Sequence, residues 1–134
     1  MPQVHGVLNA VDASYLATAA RVAGRSFCQR SGVGAVLVWR GRTIATGWNS
    51  GPADHCALIC PRGRKTHAEL PRTAPYTGEG FCVAVHAEVA TVSMALGTRY
   101  PREVFVESTL YVSKEPCADC QSFLASLELE VLWR

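Results

Sequence analysis

The sequence lacks most of the features that would remove it from the class of ordinary globular domains. Its 11 Gly and 7 Pro among 134 residues are too few for a collagenous or low-complexity chain, and 49% hydrophobic residues are too many for a disordered one. Long apolar runs are missing. The longest, Val33 to Trp39, is already interrupted by Gly34 and falls far short of the roughly 20 residues that span a bilayer. The first fifteen residues hold no basic cluster and are broken by His5, Asn9 and Asp12, a poor pattern for a signal peptide. Neither sign of charge dominates, because 13 basic against 11 acidic side chains leave +2, too near neutral for a surface that coats nucleic acid. A cytoplasmic, soluble protein with neither a membrane nor a nucleic-acid partner is expected. Internal repeats are absent, and the length suits one domain over 1–134 that buries about two thirds of its unfolded surface.

What is present is cysteine. Six of them fall at 28, 56, 60, 82, 117 and 120, and the pairs 56/60 and 117/120 have the short spacing of two ligands on one turn. In a reducing compartment such grouping points to metal or catalysis rather than to disulfides.

Periodicity supplies the frame. Residues 12–26 read as a helix capped by Asp12, with Leu16, Ala19, Ala20 and Ala23 along one face. Val33–Arg40 and Thr43–Trp48 read as a β-hairpin turned at Gly41. Asn49 to Gly80 is irregular and rich in Pro, Gly and Arg, a length of loop that is functional or needs its own stapling. Val85–Leu96 reads as a second helix stopped by Gly97, Thr109–Ser113 as a strand, Pro116 to about Leu127 as a third helix, and Glu130–Trp133 as a last strand. Interleaved strands and helices predict an α/β layered domain around one mixed sheet.

The chemistry sits at two helix starts. His86-Ala87-Glu88 opens the second helix and Pro116-Cys117-Ala118-Asp119-Cys120 the third. One His and two Cys form a three-ligand zinc set whose fourth position is left to water, the catalytic rather than the structural pattern. A helix N-terminus favours thiolates through its dipole and free N–H groups, and Pro116 suits a first turn, where its missing N–H costs nothing. Glu88 lies about 200° around the helix from His86, so it can flank the metal without ligating it and carry a proton. Each half alone has a bland reading: a lone CxxC is often a structural or redox pair, and His-Ala-Glu arises by chance. The chain contains such a chance copy at His67-Ala68-Glu69, where Leu70-Pro71 forbids a continuing helix.

Taken together, the H-x-E and P-C-x-x-C pattern resembles the zinc nucleobase deaminases, and more narrowly the cytidine/deoxycytidylate deaminase superfamily, nearest to the dCMP deaminases. The resemblance runs from about Arg25 to Arg134. It includes Val33-Gly34-Ala35-Val36, Thr46-Gly47-Trp48-Asn49-Ser50-Gly51-Pro52, the Cys-rich insertion at about 49–82, HAE, Leu110-Tyr111-Val112-Ser113 and PCxxC. It implies a three-layer fold, with a mixed sheet flanked by helices and zinc between the second and third helices. It also implies hydrolytic removal of an amine from a cytosine nucleotide, dCMP foremost. His86, Cys117 and Cys120 would be ligands and Glu88 the proton shuttle. Asn49 would contact the sugar, and the backbones of Ala87 and Ser113 the pyrimidine ring. No organic cofactor is implied.

Cys28, Cys56, Cys60 and Cys82 remain. They read either as small buried hydrophobes or as a second, structural zinc site, with His55 as a possible substitute ligand. Arg62, Arg64, Lys65 and Arg72 make the insertion basic, which suits a phosphate or simply a solvated face; Arg25, Ser26 and Arg30 are alternative phosphate contacts. Trp39, Trp48, Trp133 and Tyr111 read as core or rim aromatics. Relatives continue past the strand at Glu130–Trp133, so a shortened C-terminus is expected to leave a bare sheet edge, which a homo-oligomer would cover or an open pocket would accompany. Two further readings stay open. One is a deaminase of a nucleoside, free base, antibiotic nucleoside or tRNA adenosine, since Glu115-Pro116-Cys117 also resembles adenosine and guanine deaminases. The other is a non-catalytic, zinc-stabilised module, against which the carboxylate of Glu88 argues.

Overall fold

The strand Gly34–Trp39 (β2) is apolar throughout because it is an interior strand of the sheet, with both faces covered. It turns through Arg40 and Gly41 into Arg42–Trp48 (β3). Both turn residues have left-handed backbone, φ 50° and 75°, which is the twist a two-residue hairpin requires and the reason for glycine at the second position. The computed structural model describes residues 3–4, 9–28, 31–51, 68–69 and 85–134. These comprise five strands, the others being Gln3–Val4 (β1), Ser108–Val112 (β4) and Glu130–Trp133 (β5), in the order β1-β5-β4-β2-β3. β2 is antiparallel to β3 and β4, whereas β4, β5 and β1 run parallel to one another. The sheet is mixed, as the interleaving predicts.

Alternation along the strands sorts the core into two faces. Val36, Val38, Tyr111 and Leu132 meet Leu16 and Ala19 of the helix Ala10–Ala23 (α1). On the opposite face, Ala35, Leu37, Ala45, Leu110, Val112, Val131 and Trp133 meet two helices, Ala87–Gly97 (α2) and Ala118–Ser126 (α3). The result is three layers. Two glycines set the spacing between them. A Cβ on Gly34 would collide with the α1 backbone at Ala19 and Ala23. One on Gly47 would lie 2.5 Å from Thr91 Oγ1 and 2.8 Å from Thr91 N of α2.

The structure corrects several expectations. α1 begins at Ala10 and is capped by Asn9, whose side chain accepts the Asp12 N–H at 2.8 Å. Asp12 is instead occupied by the Tyr111 hydroxyl, which donates to it at 2.6 Å; burial, then this carboxylate, raises the phenol's pKa. Ala20 points to solvent; half-buried Tyr15 and Val22 complete the apolar face in its place. α2 does end at Gly97, and the positive φ that follows it, 71°, belongs to Arg99. A 3₁₀ turn at Arg102–Glu107, unanticipated, buries Val104 and Phe105 under β4. The edge of β5 is not bare, because β1 pairs with it through Gln3–Val131 and Val4–Leu132. The aromatic expectations fare better: Tyr111 and Trp133 are buried, and Trp39 sits at the rim with its indole N–H on Glu107 at 2.9 Å. No helix among the described residues is long and apolar enough to cross a membrane.

Candidate active site

His86 caps α2 and Cys117 caps α3, each with the extended backbone of an N-cap residue. Both helices start two residues later than the sequence pattern predicts. Val85 is drawn off into a bridge with Ser50, and Pro116 is buried ahead of α3 with its carbonyl accepting the Gln121 side-chain amide at 2.8 Å. The Ser50–Val85 bridge ties the end of β3, next to Asn49, to the entry of α2, next to His86. Gly47 lets α2 approach β3 closely enough for this connection.

The outcome is a cluster of three donor atoms, His86 Nδ1, Cys117 Sγ and Cys120 Sγ, all within 4.8 Å of one another. Nδ1 lies 3.0 Å from Cys120 Sγ and 3.6 Å from Cys117 Sγ. A tetrahedral zinc with ordinary Zn–S and Zn–N bonds separates such donors by about 3.6 Å, so the set fits the metal with small adjustments. Both cysteines are buried and His86 is half-buried. The Cys117 thiol is held down at about 4, chiefly by the hydrogen bond from the Cys120 thiol and then by His86 and the Cys120 N–H at the helix start. Cys120, the donor in that bond and itself buried, is pushed up. A metal held there would take both sulfurs as thiolates.

Glu88 is 4% exposed and stands outside the donor set. Burial raises its carboxyl above the usual carboxylate range, while its own backbone N–H and the nearby His86 pull it down. A buried, protonatable carboxyl beside a potential zinc site is equipped to move a proton.

The other expected contacts are partly committed. Asn49 Oδ1 accepts the Val33 N–H at 2.8 Å and its Nδ2 donates to Ser31 O at 2.9 Å, so the side chain holds the 31–33 loop. Its carbonyl takes the Ser26 hydroxyl at 2.9 Å. Ala87 is fully buried, and its carbonyl accepts the Thr91 hydroxyl at 2.7 Å. Ser113 is engaged twice by Gly34, its N–H donating to Gly34 O and its hydroxyl accepting the Gly34 N–H, both at 2.9 Å. Of the second copy of the tripeptide, Ala68 and Glu69 lie in an exposed turn, and Glu69 is not one of the clustered donors. The Cys28 thiol is half-buried and accepts the Ser31 N–H at 3.4 Å. Cys56, Cys60, Cys82, His55, Arg30, Arg62, Arg64, Lys65 and Arg72 lie outside the described residues. Arg25 places its guanidinium 5.3 Å from the centre of the Trp48 ring.

Sequence reasoning missed Lys114 and Ser31. They are 83 positions apart, and the Lys114 ammonium donates to the Ser31 hydroxyl at 2.8 Å. The available signal was only a basic residue three places before Cys117, in the same turn as Ser113.

Residues 9–132 match the cytidine and deoxycytidylate deaminase zinc-binding region. The chain is 37% identical to the deoxycytidylate deaminase of Mycobacterium phage D29 over 121 residues, 89% of either protein. It is 28% identical over 90% of its length to a tRNA-specific adenosine deaminase subunit of Schizosaccharomyces pombe, of which the match covers 24%. Among solved structures, the dCMP deaminase of cyanophage S-TIM5 in complex with dCMP and dUMP superposes with a TM-score of 0.66, at 24% identity, over 96% of this chain and 84% of that one. That likeness bears on the fold. Together with a donor cluster of the zinc-binding type at the starts of α2 and α3, these matches show that the chain belongs to the cytidine and deoxycytidylate deaminases.

Proposed function

We propose that this chain hydrolyses dCMP to dUMP and ammonia, with zinc on His86, Cys117 and Cys120 and with Glu88 as the proton carrier. The observation that carries the proposal is the burial of Glu88 beside three metal donors without being one of them. A scaffold held together by zinc has no use for a buried carboxyl there, since burying it is costly. Zinc bound to three protein ligands supplies Lewis acidity that lowers the pKa of water to about 7.

The protein's own part is proton handling and orientation. Glu88 takes a proton from the attacking water and delivers protons to the ring nitrogen and to the departing amine. One water is consumed, the carbon–nitrogen bond to the exocyclic amine breaks, a carbonyl forms, and ammonia leaves. A raised carboxyl pKa suits a group that must both accept and give a proton. The backbones of Ala87, in the first turn of α2, and of Ser113 would contact the ring, and Asn49 the sugar.

The choice of dCMP among aminated bases is supported by the name and identity of the phage D29 relative and by the ligands of the S-TIM5 enzyme. The reading takes 1–134 as one deaminase domain. A second zinc on Cys28 together with Cys56, Cys60 and Cys82 is part of this proposal, so that freshly purified protein is expected to contain two zinc ions per chain; a single ion removes the second site. The test of function is ammonia release by zinc-loaded protein from dCMP, deoxycytidine, cytosine, an aminated antibiotic nucleoside and tRNA. Turnover highest on dCMP supports the proposal. Equal efficiency on dCMP and deoxycytidine at low salt overturns the nucleotide assignment, and no ammonia from any of them overturns the enzyme.

A further inference from the structure

Two segments meet beside Asn49. One is the 31–34 loop leading into β2, and the other is the turn 113–117 leading into α3. Gly34 and Ser113 join them through two hydrogen bonds of 2.9 Å, and Lys114 joins them again through Ser31. Ser31 is also where Asn49 is anchored, through Nδ2 and the Ser31 carbonyl at 2.9 Å. Lys114 and the residue assigned to the sugar therefore converge on one serine.

Lys114 is half-buried, and among the described residues no carboxylate lies within ion-pair distance of it. Its hydrogen-bond partner is a neutral hydroxyl. A partly desolvated ammonium in that position gains most from an anion. We propose that Lys114 receives the 5′-phosphate of the nucleotide, with the Ser31 hydroxyl as a second donor, and that this contact selects nucleotide over nucleoside. The proposal rests on the deaminase reading above.

A phosphate monoester carries about −1.5 to −2 charge at neutral pH, and a half-buried site must offset that charge. When the phosphate arrives, the ammonium exchanges a neutral acceptor for a charged one, and the Ser31 hydroxyl, no longer an acceptor, turns its own proton to the phosphate. Lys114 also follows Ser113 directly and precedes the donor Cys117 by three residues, which places it in the segment that leads into the donor cluster. Arg25 fits the role less well, since its guanidinium is already stacked on Trp48.

A Lys114–Ser31 bond that merely stapled the loop would, when removed, weaken nucleotide and nucleoside alike. Kinetics on dCMP and deoxycytidine with wild type, Lys114→Met and Lys114→Arg separate the two roles. The expected result is a dCMP-to-deoxycytidine efficiency ratio at least about tenfold lower in Lys114→Met, arising in KM for dCMP, and largely restored in Lys114→Arg. Ser31→Ala lowers the ratio in the same direction by less, and it carries the test if Lys114→Met does not fold. Calorimetric titration with dUMP and deoxyuridine reads the same contact without turnover: wild type prefers dUMP, and the Lys114→Met preference is smaller. An unchanged ratio, or equal losses on both substrates, overturns the role of Lys114 while leaving the deaminase intact. Wild-type protein that releases no ammonia from any cytosine substrate defeats the underlying reading instead, and the dUMP titration then decides the phosphate contact alone.

Discussion

The tripeptide His-Ala-Glu occurs at 67–69 and again at 86–88, and the two copies have different surroundings. In the second, His86 caps α2, Ala87 is fully buried, and Glu88 is 4% exposed beside the donor cluster. In the first, Ala68 and Glu69 lie in an exposed turn. The composition is identical, so the difference lies in the residues C-terminal to each copy and in the contacts that hold it. In the sequence, Leu70-Pro71 disfavours a helix after the first, whereas Val89 to Ala95 continues the second with Val92 and Ala95 in the core. The second copy is then pinned by the Ser50–Val85 bridge on one side and by the Gly47–Thr91 approach on the other. Three residues become a site only when the backbone entering and leaving them is fixed.

The comparison can be broken from the strong end first. Cys117→Ser removes a donor with which His86 must act, and turnover is expected to fall to the uncatalysed background with the loss of one zinc per chain by metal analysis. Retained zinc with retained turnover would separate the cluster from the chemistry. Next comes the pinning. Gly47→Ala forces a Cβ to 2.5 Å from Thr91 Oγ1 and 2.8 Å from the Thr91 backbone nitrogen, so α2 must shift. Overpacking of this kind costs about 1–3 kcal/mol, readable by urea denaturation, and a displacement near 1 Å at the site costs about a hundredfold in turnover. An unaltered rate would mean that the position of α2 does not depend on this contact. The smallest effect belongs to the first copy of the tripeptide. Glu69→Gln is expected to change stability by no more than about 0.5 kcal/mol and turnover by less than about twofold. A larger loss in kinetics would give that copy a role the comparison denies it.

The donor cluster is legible in the sequence because its members are local. His86 with Glu88, and Cys117 with Cys120, are each spaced within one helical turn, and the hairpin follows from Gly41 between two apolar runs. Elements set by distant partners were not legible. Asn9 and Asp12 are both good caps, and only the Tyr111 hydroxyl, 99 positions from Asp12, decides between them. Gln3–Val4 is too short to show any period and exists as a strand because β5 offers it an edge. Arg102–Glu107 carries three consecutive apolar residues with neither helix nor strand period, and Val104 and Phe105 are buried by packing against β2 and β4. The nitrogen of His86 that faces the sulfurs, Nδ1, is likewise a matter of tertiary placement.

The most direct measurement is made on Glu88→Gln, a change that keeps the shape of the side chain and removes its ability to carry a proton. Zinc content by metal analysis and ammonia release from dCMP are measured on the same preparation. The account predicts wild-type zinc with turnover reduced by about 10² to 10⁴-fold. Turnover within a few-fold of wild type, or loss of one zinc per chain from a folded protein, would contradict it.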